Sequence, residues 1–220
     1  MVSRYGALII PSWLSLSWET FCSIICPMAT LTQARPLRSS PVLYRQLTWW
    51  SLTFPAVMVW ALAAHNVFWL NWVHVLAGAL WTGSDLFMGF IIGPVMRRLD
   101  MPQRVAVVAC LVPRTLLFFP AVSLTTGTAG WFLVAWFGWL TPGGAQFPWI
   151  VGSLTLVTLM TVQGLGIMLP NSLRIWFELR KPEPRRELMV GLNRINLIVA
   201  GSQGLMQVAI IVIIAHFVIP

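Results

Sequence analysis

The stretch Phe68-Trp69-Leu70-Asn71-Trp72-Val73-His74-Val75-Leu76-Ala77-Gly78-Ala79-Leu80-Trp81-Thr82-Gly83-Ser84-Asp85-Leu86-Phe87-Met88-Gly89-Phe90-Ile91-Ile92-Gly93-Pro94-Val95-Met96, closed by Arg97-Arg98, decides the fold. Only His74 and Asp85 can carry a charge within it. A helix rises about 1.5 Å per residue, so about 20 apolar residues cross the roughly 30 Å of bilayer hydrocarbon. This run exceeds that length and reads as a membrane-spanning helix. The whole chain agrees with it: 58% of its 220 residues are hydrophobic and 9% are charged. A soluble domain carries about 25% charged residues, and so few charges could not cover its surface. Thirteen Trp against two Tyr is a second sign, because Trp favours the boundary between hydrocarbon and water.

Four further spans and one shorter apolar stretch lie on either side. One precedes the quoted span, from Leu47 to His65. Pro102 to Val112 is too short to span and reads as a surface-lying stretch, so the third span is expected from Thr115 to Leu140. The fourth is expected from Pro148 to Phe177, after the breaker Thr141-Pro142-Gly143-Gly144, and the fifth from Leu188 to Val218. The expected fold is all-α, a transmembrane helix bundle of five spans.

The fourteen basic residues, thirteen of them Arg, give a formal net charge of +8. They sit in short clusters between apolar runs: Arg35, Arg38 and Arg45; Arg97, Arg98, Arg104 and Arg114; then Arg174, Arg180, Lys181, Arg185 and Arg186. With alternating spans, every cluster falls on one side, while the connections around Asn66 and Gly143 and the C-terminus carry no charge. Positive residues mark the cytoplasmic side, which puts the N-terminus inside, the C-terminus outside and the chain in the cell's inner membrane. Arg194 snorkels to the same face. This pattern accounts for the basic balance without nucleic acid as a partner; the partners expected are the lipid bilayer and either redox-complex subunits or further copies of the chain.

Residues 1–46 are read as an N-terminal segment that lies on the surface or extends a chain starting at Met28, because Pro11, Glu19 and Pro27 interrupt its apolar run. Residues 47–220 form the bundle domain. Cys22, Cys26 and Cys110 read as small apolar fillers rather than a disulfide framework. The sequence holds no recognisable nucleophile, phosphate loop or carboxylate pair of a catalytic site.

On the quoted helix, His74, Gly78, Trp81 and Asp85 are spaced i, i+4, i+7 and i+11 and share one face. Ionisable groups inside a membrane face the bundle interior and mark function by default, so Asp85 is expected to be neutral or paired with a polar group such as Arg194 or Asn196. A histidine with a glycine one turn on suits a flat macrocycle or a bare metal ion; the bland reading is an interfacial hydrogen bond at His74 and tight helix packing at Gly78. His65, His74 and His216 all lie near the outer face on the span alternation, and imidazole is a common ligand of haem iron, copper and zinc. The three are therefore a candidate ligand set. On the fifth span Asn196, Gln203 and Gln207 form a stripe roughly opposite to His216. If the stripe faces inward, His216 does not.

The run His74-x-x-Ala77-Gly78-x-x-Trp81-x-Gly83, the arginine pair after Pro94, and Pro113-Arg114-x-Leu116-x-x-x-Pro120-Ala121-x-x-Leu124-Thr125-x-x-x-x-Gly130 resemble a broad group of bacterial membrane proteins. The group includes CopD-type copper-resistance proteins, the membrane part of PuuD-type urate oxidases and HemJ-type protoporphyrinogen oxidases. The resemblance implies a haem ligand at His74. HemJ-type proteins also use a lysine where the third span begins; Arg114 stands near that place and the sole lysine is Lys181, which counts against that oxidase activity. Three functions are expected to compete: a b-type haem protein of electron transfer, with Gly78 and Trp81 beside the ring and His216 or His65 opposite His74; a CopD-like copper transport or resistance protein; and a cofactor-free structural subunit.

Overall fold

The computed structural model describes residues 47–218, with side chains as far as His216; the expectations for residues 1–46 lie outside these. The first helix, α1, spans Thr53–Ala63 and is entered through one 3₁₀ turn, Trp49–Leu52. Then come α2, Val67–Arg98, α3, Met101–Trp136, and α4, Phe147–Glu178. The last helix, α5, covers Arg186–Val218. Helices α2 to α5 are each long and apolar enough to cross a membrane. Helix α1 is not: with its 3₁₀ turn it rises about 24 Å against the roughly 30 Å of hydrocarbon.

The turn between α1 and α2 is built by its own sequence. His65 takes a left-handed φ of 47°. Its N–H donates to the Leu62 carbonyl at 3.1 Å and that of Asn66 to the Ala61 carbonyl at 2.9 Å, the paired bonds of a Schellman cap. The Asn66 side chain then accepts from the Trp69 N–H at 3.2 Å and caps α2.

The third helix departs from its expectation. It runs unbroken from Met101 to Trp136 through Pro113 and Pro120, so Pro102 to Val112 is its first part and not a separate surface segment. Asp100 and Gln103 start it with a capping box. Proline removes a backbone donor, and a membrane helix tolerates this when side chains re-satisfy the freed carbonyls. Pro113 frees the Ala109 carbonyl, and side-chain donors gather in the same turn: Arg114 Nη1 donates to the Cys110 carbonyl at 2.7 Å and Thr115 Oγ1 to the Leu111 carbonyl at 3.1 Å. Cys110 itself is disulfide-bonded, which corrects its reading as an apolar filler.

Helices α2, α3 and α5 pack against one another, with α1 against α2 and α3, and α4 against α5 and α3. Two buried clusters follow from the alternation. One joins Phe54, Leu70, Val73, Trp81, Ala129, Leu133 and Met160. The other joins the far ends of the same helices through Met96, Val108, Ile175, Leu179, Met189 and Leu197. The second cluster lies at the arginine-bearing end. The first lies at the uncharged end, which is rich in contacting aromatics such as Trp60–Trp69, Trp69–Trp72 and Phe137–Trp139. Between the ends the outer surface is apolar: Val75, Phe87, Ile91, Ile198 and Val212 are all exposed. Surface of that kind seeks lipid or a partner.

Candidate functional site

His74 stands two turns into α2, at the uncharged end. Its Nδ1 lies 2.9 Å from the Thr126 carbonyl of α3. A carbonyl only accepts, so Nδ1 carries the proton, and the neutral ring keeps its lone pair on Nε2. Nε2 makes no hydrogen bond among the described residues. The ring edge fits against α3 because position 130 is glycine: a Cβ there would come within 2.8 Å of His74 Cε1. Gly130 is thus the small residue that admits the imidazole. Gly78 serves differently from its expected role. A Cβ at Gly78 would meet Thr126 Cγ2 at 3.3 Å, so this glycine lets α2 and α3 approach and leaves no slot for a ring.

The expected face of α2 is split. Trp81 and Asp85 are buried, with Leu70, Val73 and Ala77, while His74 and Gly78 lie half-buried at its edge along α3. Asp85 is fully enclosed, and Gln207 Nε2 of α5 donates to its Oδ2 at 2.8 Å. The Trp81 side chain is its other polar neighbour, and Oδ1 has no formed hydrogen bond among the described residues. The partner of Asp85 is therefore neither Arg194, which is exposed, nor Asn196, which bonds Asn171 at 3.1 Å and Ser172 at 3.0 Å. The stripe Asn196, Gln203 and Gln207 does face inward, and His216 on the same helix is exposed.

The three histidines share the uncharged end but not one centre. The His65 ring lies 5.6 Å from Trp136 and the His216 ring 4.5 Å from Trp149. Neither has a ring contact or hydrogen bond to His74 among the described residues. Nor do those residues hold any group of three or more His, Cys, Asp or Glu placed to bind a metal ion. The cavity beside Trp81, which also reaches Met160 and Gln203, measures about 70 Å³. That is well below the roughly 300–1,000 Å³ of a small-ligand site. One prepared nitrogen at the edge of the bundle is what the site offers.

Thr126, Gly130 and Gln207 gained no role in the sequence reading. Gly130 stood inside the quoted motif and Gln207 in the polar stripe, so each had a signal; the Thr126 carbonyl, being backbone, had none.

The fold and site define an all-helical protein with four span-capable helices and one oriented imidazole near one end. In comparisons with family models, curated proteins and solved structures, nothing matches the chain.

Proposed function

We propose that this chain is a multi-pass redox protein of the cell's inner membrane in which His74 supplies one axial nitrogen to a b-type haem, and that it works as a subunit of a larger redox complex. One observation carries the reading: Nδ1–H is held by the Thr126 carbonyl while Nε2 makes no hydrogen bond among the described residues. A ligating imidazole needs this arrangement, one nitrogen fixed by an outer acceptor and the other free. The motif around His74 and its likeness to haem-binding membrane proteins support the same choice.

Ligand arithmetic favours haem over a bare copper ion. Copper takes most of its donors from side chains, and no converging set of three or more lies among the described residues. A porphyrin brings four nitrogens and asks the protein for one or two. The cavity beside Trp81 is too small for the macrocycle, so it would lie at the edge of the bundle, its far side closed by a partner chain or a second copy. His65 and His216 remain the chain's own candidates for the second ligand. A bound haem would supply one-electron transfer. The chain's part is to fix the imidazole tautomer and to shield the site with Trp72, Trp81 and the α3 face.

The reading includes five spans with the N-terminus in the cytoplasm, α1 crossing where the bilayer thins or flanking residues snorkel. A cofactor-free structural subunit is the second reading, favoured by the same hydrogen bond, since His74 to Thr126 ties α2 to α3 with or without a metal. Haem and copper analysis of the purified chain, produced with both supplied, separates the three. Haem near one per chain or per pair of chains supports the first reading, copper without haem the CopD-like one, and neither the structural one.

A further inference from the structure

At the arginine-bearing end a cleft of about 340 Å³ opens between α2, α3 and α5. Arg97 and Arg104 line it, with Arg194, Asn193, Leu197 and Ile198 of α5. This volume falls within the range of small-ligand sites, about 300–1,000 Å³. Its charge is of one sign. The only ion pairs among the described residues join Glu178 to Lys181 at 2.7 Å and to Arg185 at 3.1 Å. Of the other acids at this end, Asp100 caps α3, and neither Glu183 nor Glu187 ion-pairs with Arg97, Arg104 or Arg194. Arg104 spends Nε on the Leu99 carbonyl at 2.7 Å and Nη2 on the Arg97 carbonyl at 3.1 Å. Those bonds fix its fork and leave Nη1 free.

The second observation concerns Asn193. Its side chain is 3% exposed, and its Nδ2 has no hydrogen-bond partner among the described residues. A buried amide donor without an acceptor is costly, and this one lines the cleft. Orientation in the membrane explains arginines near a helix end; it explains neither a concave site nor an unpaired donor buried in its wall. Guanidinium groups and an amide N–H all donate and none accepts, which is the recognition chemistry of an oxyanion with several oxygens, above all phosphate. The rim adds an apolar element, since Ile198 is 64% exposed on the outer surface.

We propose that this cleft binds a phosphate group, with Arg97, Arg104 and Arg194 as charged donors and Asn193 Nδ2 as the buried one. The group could reach it on an anionic phospholipid or as a soluble phosphate, and the two arms of one experiment separate these. The purified full-length chain in detergent is titrated with inorganic phosphate in one arm and with phosphatidylglycerol against phosphatidylcholine in the other, with occupancy read by native mass spectrometry. Saturable binding in either arm is expected, with the lipid arm preferring phosphatidylglycerol. Saturation by phosphate itself assigns a soluble ligand, and saturation by phosphatidylglycerol alone assigns the lipid headgroup. Arg97→Gln with Arg194→Gln should weaken binding at least tenfold. Asn193→Leu, checked for retained thermal stability, should weaken it severalfold. Arg98→Gln removes a neighbouring charge outside the cleft and should change it less than twofold. Equal loss from Arg98→Gln and Arg194→Gln would reduce the effect to net charge and overturn the proposal. So would the absence of saturable binding in both arms.

Discussion

Asp85 shows how a membrane interior handles a carboxyl group. It is fully enclosed, and among the described residues Gln207 is its one well-formed hydrogen-bond partner. Asn at position 85 keeps a carbonyl for the Gln207 amide, so Asp85→Asn should shift the thermal midpoint in detergent little. Gln207→Leu strips the buried carboxyl of its donor and should cost about 1–3 kcal/mol. The two positions should couple: Asp85→Leu with Gln207→Leu should lose less stability than the single changes summed. Additive losses would mean that the 2.8 Å contact carries no energy. The sequence reading found Asp85 and the stripe holding Gln207, yet paired Asp85 with Arg194 or Asn196. Spacing along single helices gives the face of each residue, but the depth at which α5 meets α2 is set by packing, and no local pattern records it.

At the scale of elements, that depth is set where α2 and α5 touch at glycines. Phe87–Ile92 of α2 widens into a π turn, which brings Gly89 against α5. A Cβ on Gly89 would collide with the Gly201 backbone, whereas a Cβ on Gly201 would meet Gly89 Cα at 3.4 Å, an ordinary contact. Small residues let membrane helices close in this way. Gly89→Ala should therefore destabilise the bundle by about 1–3 kcal/mol, the usual cost of overpacking, and Gly201→Ala by clearly less. Equal effects on thermal unfolding in detergent would contradict the close contact. The four long helices themselves were legible from apolar run length, and all their ends but the start of α3 fell near the expected ones. The start of α3 was misread because Pro102 to Val112, taken alone, is too short to span. Pro113 does not end the helix, which carries extra side-chain bonds from Arg114 and Thr115 to the Cys110 and Leu111 carbonyls beside it. Helix α1 was also overestimated, since the Schellman turn at His65 and the 3₁₀ turn at Trp49 each trim it.

For the whole molecule the charge distribution is the organising fact. Arg97, Arg98, Arg104, Arg174, Arg180, Lys181, Arg185 and Arg186 gather at one end, while the other carries Trp60, Trp69, Trp72, Trp139 and the three histidines. In the proposed orientation, which follows the positive-inside rule, the first end is cytoplasmic. A reporter active only outside the cytoplasm tests this orientation: fused after Pro220 it should be active, and placed after Lys181 silent. The reverse pattern would invert the bundle and move His74 to the cytoplasmic side.

The central claim is that His74 Nε2 ligates a haem. It is tested most directly by the reduced-minus-oxidised absorption spectrum of the purified full-length chain, produced with haem supplied, beside His74→Ala. The account predicts sharp b-type bands in the parent protein, lost or reduced at least tenfold in His74→Ala while the variant still accumulates in the membrane. A colourless parent protein, or bands that survive unchanged in His74→Ala, would contradict it and leave His74 as the hydrogen-bonded tie between α2 and α3.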